Sequence, residues 1–245
     1  GISNWGKERW DGVFHRKKLI AMSVSLGRLN PGEKARLIVA YGKIEACESL
    51  GAIEMSRGGG DMLIGERTAI DALYSGMGRP KNRLFADQRL YRCTLTTPGP
   101  ELKCRWGTPD DFESICLYAS NMMQEDLGIN PLREDPVRHV ASIQHRLKHQ
   151  KTQIGEHNGD ICFVLDVGTS FKLGAQVGGT FVPKPFRGKG ISKQGMRWTT
   201  KNLLRECKCV TLHVNENNHP AIRCYEAVGY EPSTAYRMIS IDPEI

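Results

Sequence analysis

No uninterrupted apolar run in this sequence approaches the roughly 18–20 residues needed to span a bilayer, so it offers no candidate transmembrane helix. The opening GISNWGKERW is polar and lacks the apolar segment of a secretory leader, and none is expected. Low-complexity tracts are absent as well; the 245 residues have a globular composition, 40% hydrophobic and 25% charged. Neither a C-x-x-C nor any zinc-ligand spacing occurs among the eight cysteines, whose closest pair is Cys207 and Cys209. No metal is therefore expected, and a disulfide scaffold would be shorter and richer in cysteine. Buried free thiols in a reducing cytoplasm are the expectation. Aromatic residues are scarce, at 7%, with no RNA-binding aromatic motif and no helix-turn-helix pattern.

Positive charge is what the chain has in excess. A net charge of +7 and a pI near 9.0 suit an anionic ligand without choosing among phosphorylated cofactor, membrane surface and nucleic acid. The missing motifs disfavour nucleic acid, and no membrane partner is expected.

Along the first half, WDGVFHRKKLIAMSVSLG reads as a hairpin around HRKK. GEKARLIVAYGKIEACESLG puts Leu37, Ala40, Tyr41, Ile44 and Cys47 on one helical face, with Gly51 as the stop. A short strand AIEM, a hairpin turn SRGGG and a strand DMLIG follow, then a helix in ERTAIDALYSG, a basic stretch RPKNR and a strand QRLYRCTL. TTPGPE at 96–101 resists helix and central strand, and marks the expected boundary between domains 1–100 and 101–245.

The second half reads as strand LKCRW, helix TPDDFESICLYASNMMQEDLG with Thr108 as N-cap, and helix DPVRHVASIQHRLKHQ with Val137, Val140, Ile143 and Leu147 inward. Strands TQIGEHN and DICFVLDVG flank the two-residue turn signal Asn158-Gly159. LGAQVGGTFVP is the next strand, ISKQGMRWTTKNLLREC a helix, CVTLHV a strand, HPAIRCYEAVG a short helix and AYRMISI the closing strand. This order is α+β with a mixed, mostly antiparallel sheet flanked by helices, not a doubly wound fold.

Two constellations carry chemistry. In VPKPFRGKGISKQG, residues 182–195, a strand ends in a loop with Gly188, Gly190, Arg187 and Lys189 and then enters a helix. The first amides of a helix have no intrahelical acceptors and its dipole is positive there, so such a loop is built for an anion. Glycines let the backbone approach phosphate oxygens closely. The loop is neither a Walker A sequence nor GxGxxG. In VNENNHPAIRCYEAVGY, residues 214–230, Asn218, Ala221 and Tyr225 fall on one face of the short helix.

Together the two resemble the GNAT superfamily of acyl-CoA-dependent N-acyltransferases. Arg187-Gly188-Lys189-Gly190-Ile191-Ser192 is similar to its pyrophosphate signature R/Q-x-x-G-x-G/A, with serine at the last place. Asn218, Ala221, Tyr225, Gly229 and Tyr230 match its later motif. In element order the resemblance covers roughly residues 102–245. DMLIGERTAIDALYSG and QRLYRCTL more faintly resemble the domain that precedes a GNAT domain in some bacterial two-domain members. That first domain could itself be a degenerate copy of the fold; it has no R-x-x-G-x-G/A sequence, so one cofactor site per chain is expected.

The resemblance implies an N-acetyltransferase that takes acetyl-CoA as donor and a primary amine as acceptor by direct attack. By the same resemblance, exposed backbone around Phe181 and Val182 would pair with the pantetheine arm and polarise the thioester carbonyl. The amides of Gly188, Lys189, Gly190, Ile191 and Ser192 would hold the pyrophosphate, with Arg187 and Lys189 assisting. Tyr225 would protonate the departing thiolate. Asn218 and Ala221 belong to the cofactor side, Asn218 either orienting pantetheine or capping its helix. Glu125, Asp126, Glu216 and His213 are the candidates for the general base, and the sequence does not choose among them. His145 and His149, amid Arg146, Lys148 and Lys151, read as a solvated basic face. The competing reading is a non-catalytic acyl-CoA sensor; a monomer or homodimer is expected in either case.

Overall fold

The computed structural model describes residues 7–28, 35 and 37–242. Its chain forms two compact units: residues 1–90, 215–217 and 233–245, and residues 91–214 and 218–232. Among the described residues no helix is long and apolar enough to cross a membrane.

In the first unit the β-rich runs around HRKK form a hairpin, β1 (Lys7–His15) and β2 (Lys18–Arg28), with Phe14 opposite Leu19. The single helix expected over 32–51 is instead β3 (Leu37–Gly42) followed by α1 (Ile44–Ser56); residues 32–34 and 36 of that stretch lie outside the described residues. LIVAY satisfies both periods, and pairing decides between them: β3 bonds β2 antiparallel on one side and β4 (Met62–Glu66) parallel on the other. Ile38 and Ala40 are thereby buried in alternation. Gly51 does not stop the helix. It lies inside α1 where the Leu73 carbonyl of α2 (Arg67–Gly76) comes so close that a Cβ would overlap it, at 2.0 Å. AIEM is not a strand but the last turns of α1, which bury Glu54 against the hydroxyls of Ser23 and Ser25 at 3.1 and 2.6 Å. Nor is SRGGG a hairpin turn. It ends α1, with the amides of Gly58 and Gly59 donating back to the carbonyls of Met55 and Glu54. The strand expected at QRLYRCTL starts earlier, as β5 (Asn82–Cys93). Within this unit the sheet runs β1-β2-β3-β4-β11-β5, where β11 (Glu231–Ile241) is the closing strand of the chain.

The second unit begins with β6 (Cys104–Trp106), a turn capped reciprocally by Thr108 and Asp111, and α3 (Phe112–Leu127), which ends at left-handed Gly128. A single turn α4 (Pro131–Glu134) and α5 (Pro136–Lys148) follow. The inward set of α5 differs from the expected one: His139, Ile143 and Leu147 are buried and Val137 is 80% exposed. His139 turns the helix by bonding Cys116 O through Nε2 at 3.0 Å. Next come β7 (Thr152–His157), β8 (Asp160–Phe171), β9 (Gly174–Phe181), α6 (Ile191–Leu203), β10 (Val210–Asn215) and α7 (His219–Val228). The sheet order here is β10-β9-β8-β7-β6, antiparallel except for β10 with β9.

Two apolar layers cover this sheet. One joins Phe163, Leu165, Val177, Met196, Leu212, Val214, Tyr225 and Tyr230 beneath α6 and α7. The other joins Ile115, Ile143, Leu147, Ile154 and Val164 beneath α3 and α5. Seven of the eight cysteines are buried free thiols and Cys209 is partly exposed. Gly195 lets α6 lie directly on β8: a Cβ there would stand 2.6 Å from Cδ1 of the fully buried Phe163. Gly195→Ala is expected to overpack this contact by about 1–3 kcal/mol, lowering Tm by about 5 °C. An unchanged melting curve by circular dichroism would refute the close-packing role.

The units do not divide at TTPGPE. The compact division falls between Leu90 and Tyr91, and β11 returns to the first unit by pairing antiparallel with β4, Tyr236 opposite Glu66 through Ser240 opposite Met62. The proline-rich segment is instead fastened inside the second unit. Arg197 of α6, only 6% exposed, donates to the carbonyls of Thr97, Pro100 and Ala227 at 2.9, 2.8 and 3.2 Å. Composition marks where a chain can turn, not whether a buried cation holds it.

Candidate active site

The two parallel strands that frame the glycine loop hardly pair. β9 and β10 share two positions, Ala175 with Val210 and Gln176 with Thr211, and no rung follows. On its other side β9 carries a bulge: Asp166 of β8 faces Gly178 and Val164 faces Phe181, so β9 spends one residue more than β8 over that interval. Gly179 sits in the bulge with φ +58°, and its missing Cβ leaves room for the Asp166 carboxylate. The bulge resets which way the following side chains point. Thr180 reaches Met196 of α6, while Phe181 stacks on Tyr118 of α3 with ring centroids 5.7 Å apart.

After β9 the chain makes a short turn at Lys184–Phe186 and enters the loop that ends at Gly190, the N-cap of α6. Gly188 and Gly190 have φ +76° and +75°, conformations costly for any side chain. The space at both is open. A Cβ at Gly188 would meet nothing within 4 Å, and one at Gly190 only Nε2 of Gln194, at 3.7 Å. No side chain caps α6, so its first amides are left for an external acceptor. A phosphate group fits such a cradle. Ile191 and Val182 pack against the core below. Ser192, where the signature has glycine or alanine, turns its hydroxyl inward to Cys224 Sγ at 3.2 Å. Lys189 extends over the Phe186 ring, Nζ 5.8 Å from the centroid.

Arg187 is the residue whose position departs from its expected part. Its guanidinium donates through Nε to Val182 O at 2.8 Å and through Nη2 to both carboxylate oxygens of Glu125 at 3.1 and 2.8 Å. It also lies over the Phe181 ring, 5.3 Å from the centroid. Arg187 therefore ties the loop to the end of α3.

On the other side of the cleft, α7 starts at Asn218, whose Oδ1 accepts from Ala221 N at 3.2 Å. That bond makes Asn218 a helix cap. Ala221 packs against the core, and one turn further Tyr225 is 9% exposed. Thr180 lies near enough to the Tyr225 hydroxyl to favour its ionised form. Burial is the main cause that pushes the Tyr225 phenol up to about 12, with Cys224 and Asp126 adding to it against Thr180. The phenol therefore stays protonated across the working range of a protein. Thr180 carries no signal in the sequence; only the bulge brings it to Tyr225.

The four candidate bases separate clearly. Glu216 bonds Arg89 and Arg67 in the first unit, and these hydrogen bonds hold its carboxyl below the usual range. Glu125 is engaged by Arg187. His213, on β10 with Nδ1 3.3 Å from Gln176 Nε2, is pushed down to about 4 by burial and is neutral. Asp126 is raised by crowding at its carboxyl and by Glu125, opposed by Arg187, although the residue as a whole is exposed. His145 and His149 stack at 4.3 Å. Among the described residues no group of three or more His, Cys, Asp or Glu could hold a metal ion.

Known proteins are similar to this chain in sequence pattern and in fold. Residues 142–230 match the model of the acetyltransferase (GNAT) family. No curated protein sequence matches the chain. Among solved structures, a GCN5-related N-acetyltransferase from Kribbella flavida is similar in fold, with TM-score 0.59 at 12% identity over 100% of this chain and 92% of that one. A GNAT-family acetyltransferase from Colwellia psychrerythraea gives TM-score 0.59 at 11% identity, over 95% and 85% of the two chains. A tandem GNAT protein from the clavulanic acid biosynthesis pathway gives TM-score 0.50 at 13% identity, over 97% and 85%. With the family match across the cradle and α7, and this fold around them, the chain carries a domain of the GNAT superfamily.

Proposed function

We propose that the second unit transfers the acetyl group of acetyl-CoA to a primary amine by direct attack. One observation supports this most: the cleft opened where β9 and β10 stop pairing has an unfilled, left-handed glycine cradle at one side and the Tyr225 phenol at the other. The amides of residues 188–192 would bind the pyrophosphate, and Lys189 would add charge to the cradle. The backbone at the end of β9, at Phe181 and the amide of Val182, would pair with the pantetheine arm and polarise the thioester carbonyl. Tyr225 would give its proton to sulfur as the carbon–sulfur bond breaks and the carbon–nitrogen bond forms. Asn218 and Ala221 shape the α7 side of the cleft, and Ser192 keeps the first turn of α6 close to α7. Arg187 acts as a positioning residue for the loop.

Calorimetry with acetyl-CoA is expected to find one site per chain. In the first unit the corresponding helix α1 follows β3 after a single intervening residue, Lys43, leaving no loop to form a second cradle. Two equivalent sites would overturn that assignment, and no binding at all would overturn the proposed donor. Binding without amine-dependent thiol release across a broad amine pool would favour the sensor reading instead.

A further inference from the structure

A carboxylate that the transfer chemistry does not use stands against the bulge of β9. Asp166 of β8 is fixed from two other elements. Arg146 of α5 donates to its Oδ2 through Nη1, and Thr152 of β7, itself fully buried, donates to its Oδ1 through Oγ1 at 2.6 Å. The Arg146 and Asp166 side chains are only 23% and 19% exposed. Withdrawing two charges from water costs about as much as their attraction returns, so such a pair adds little that apolar side chains of the same size would not. Its use lies in the arrangement that it specifies.

That arrangement is the bulge. A Cβ at Gly179 would stand 2.6 Å from Asp166 Oδ2, so the carboxylate occupies the place where any other residue would put its side chain. Past Asp166 and Gly178, an unbroken ladder would set Val164 opposite Thr180; the observed partner is Phe181. In the unbroken ladder Thr180 would lie on the α3 and α5 side of the sheet, with Val164, and would compete for the space that the fixed carboxylate holds. Phe181 would turn toward α6 and leave Tyr118. A slip of one residue exchanges the faces of all the side chains that follow, and with them the edge to which each amide points. The bulge thus decides how the strand end enters the cleft.

We propose, building on the acetyl-transfer reading, that Asp166 is a positioning residue for the donor. Held by Arg146 and Thr152, it keeps the bulge at Gly179 and so presents the backbone of Phe181 and Val182 to the pantetheine arm.

The test needs no acceptor amine. Calorimetry on the full chain compares CoA with adenosine 3′-phosphate 5′-diphosphate, which has the phosphates of CoA and no pantetheine arm. The variants are Asp166→Ala and the double replacement Asp166→Ala with Arg146→Met, which leaves no unpaired cation behind. In both, CoA should bind about tenfold more weakly, as for the loss of one or two backbone hydrogen bonds, while the truncated nucleotide stays within about twofold of wild type. A merely structural role would not separate the two ligands. Equal losses for both overturn the inference, as does undiminished CoA affinity in a folded variant. Loss of the folded state in both variants, read by circular dichroism, would make the pair a folding element and overturns it too. So does a wild type that holds CoA no more tightly than the truncated nucleotide. A wild type that binds neither ligand overturns the acetyl-CoA reading beneath, and that failure is distinct from the others.

Discussion

Tyr225→Phe is expected to leave the acetyl-CoA dissociation constant within a few-fold and to lower turnover by about 10²–10³, the usual range for losing an acid catalyst. The variant keeps the ring that packs against Tyr230, centroids 6.1 Å apart, and removes only the hydroxyl. A phenol pushed up to about 12 by burial is a reluctant acid in the resting protein. Such reluctance suits a donor to sulfur, which should give up its proton only when an anion develops beside it and should recover that proton readily. No change in pH within the working range should ionise it, so the Phe variant should lower rate evenly across the profile without shifting either limb. A parallel loss of acetyl-CoA affinity would make Tyr225 a ligand-positioning residue, and unchanged turnover would remove it from the chemistry.

Gly190→Val should weaken CoA binding by about 10–100-fold while leaving the fold intact. At φ +75° a β-branched residue costs about 1–3 kcal/mol, and each 1.4 kcal/mol lost from the bound state is tenfold in affinity. The loop can relieve that strain only by leaving the conformation in which its amides converge. Nothing buried obstructs the new side chain, since a Cβ there meets only Gln194 at 3.7 Å, so the melting temperature should move little. Undiminished affinity in a folded variant, measured by calorimetry with CoA, would place the pyrophosphate elsewhere.

The legible parts of this chain are those in which one residue type has one use. Thr108 and Asp111 cap a turn, Asn158-Gly159 turns a hairpin, and Gly188 and Gly190 give a left-handed loop that enters a helix. Misreading arose where one pattern satisfies two periods or where a distant partner decides. LIVAY could continue a helix, and only its ladder partners β2 and β4 make it a strand. Gly51 looks like a helix stop, yet it sits inside a helix because the backbone of another lies against it. Arg187 fits a phosphate-binding signature, but its guanidinium is drawn to Glu125, which is far away in sequence. No spacing could announce Thr180 beside Tyr225, because the bulge at Gly179 produces that contact.

The return of β11 to the first unit limits how the molecule can be dissected. A fragment ending near residue 100 would keep β1 to β5 but lose the strand that covers Met62–Glu66. It would expose a bare ladder of amides and carbonyls beside Leu63 and Ile64, a template for pairing with other chains. Such a truncation should be recovered as aggregate rather than as a soluble domain. Only a circularly permuted gene, which places 233–242 ahead of or behind the first ninety residues, would give that half its missing strand.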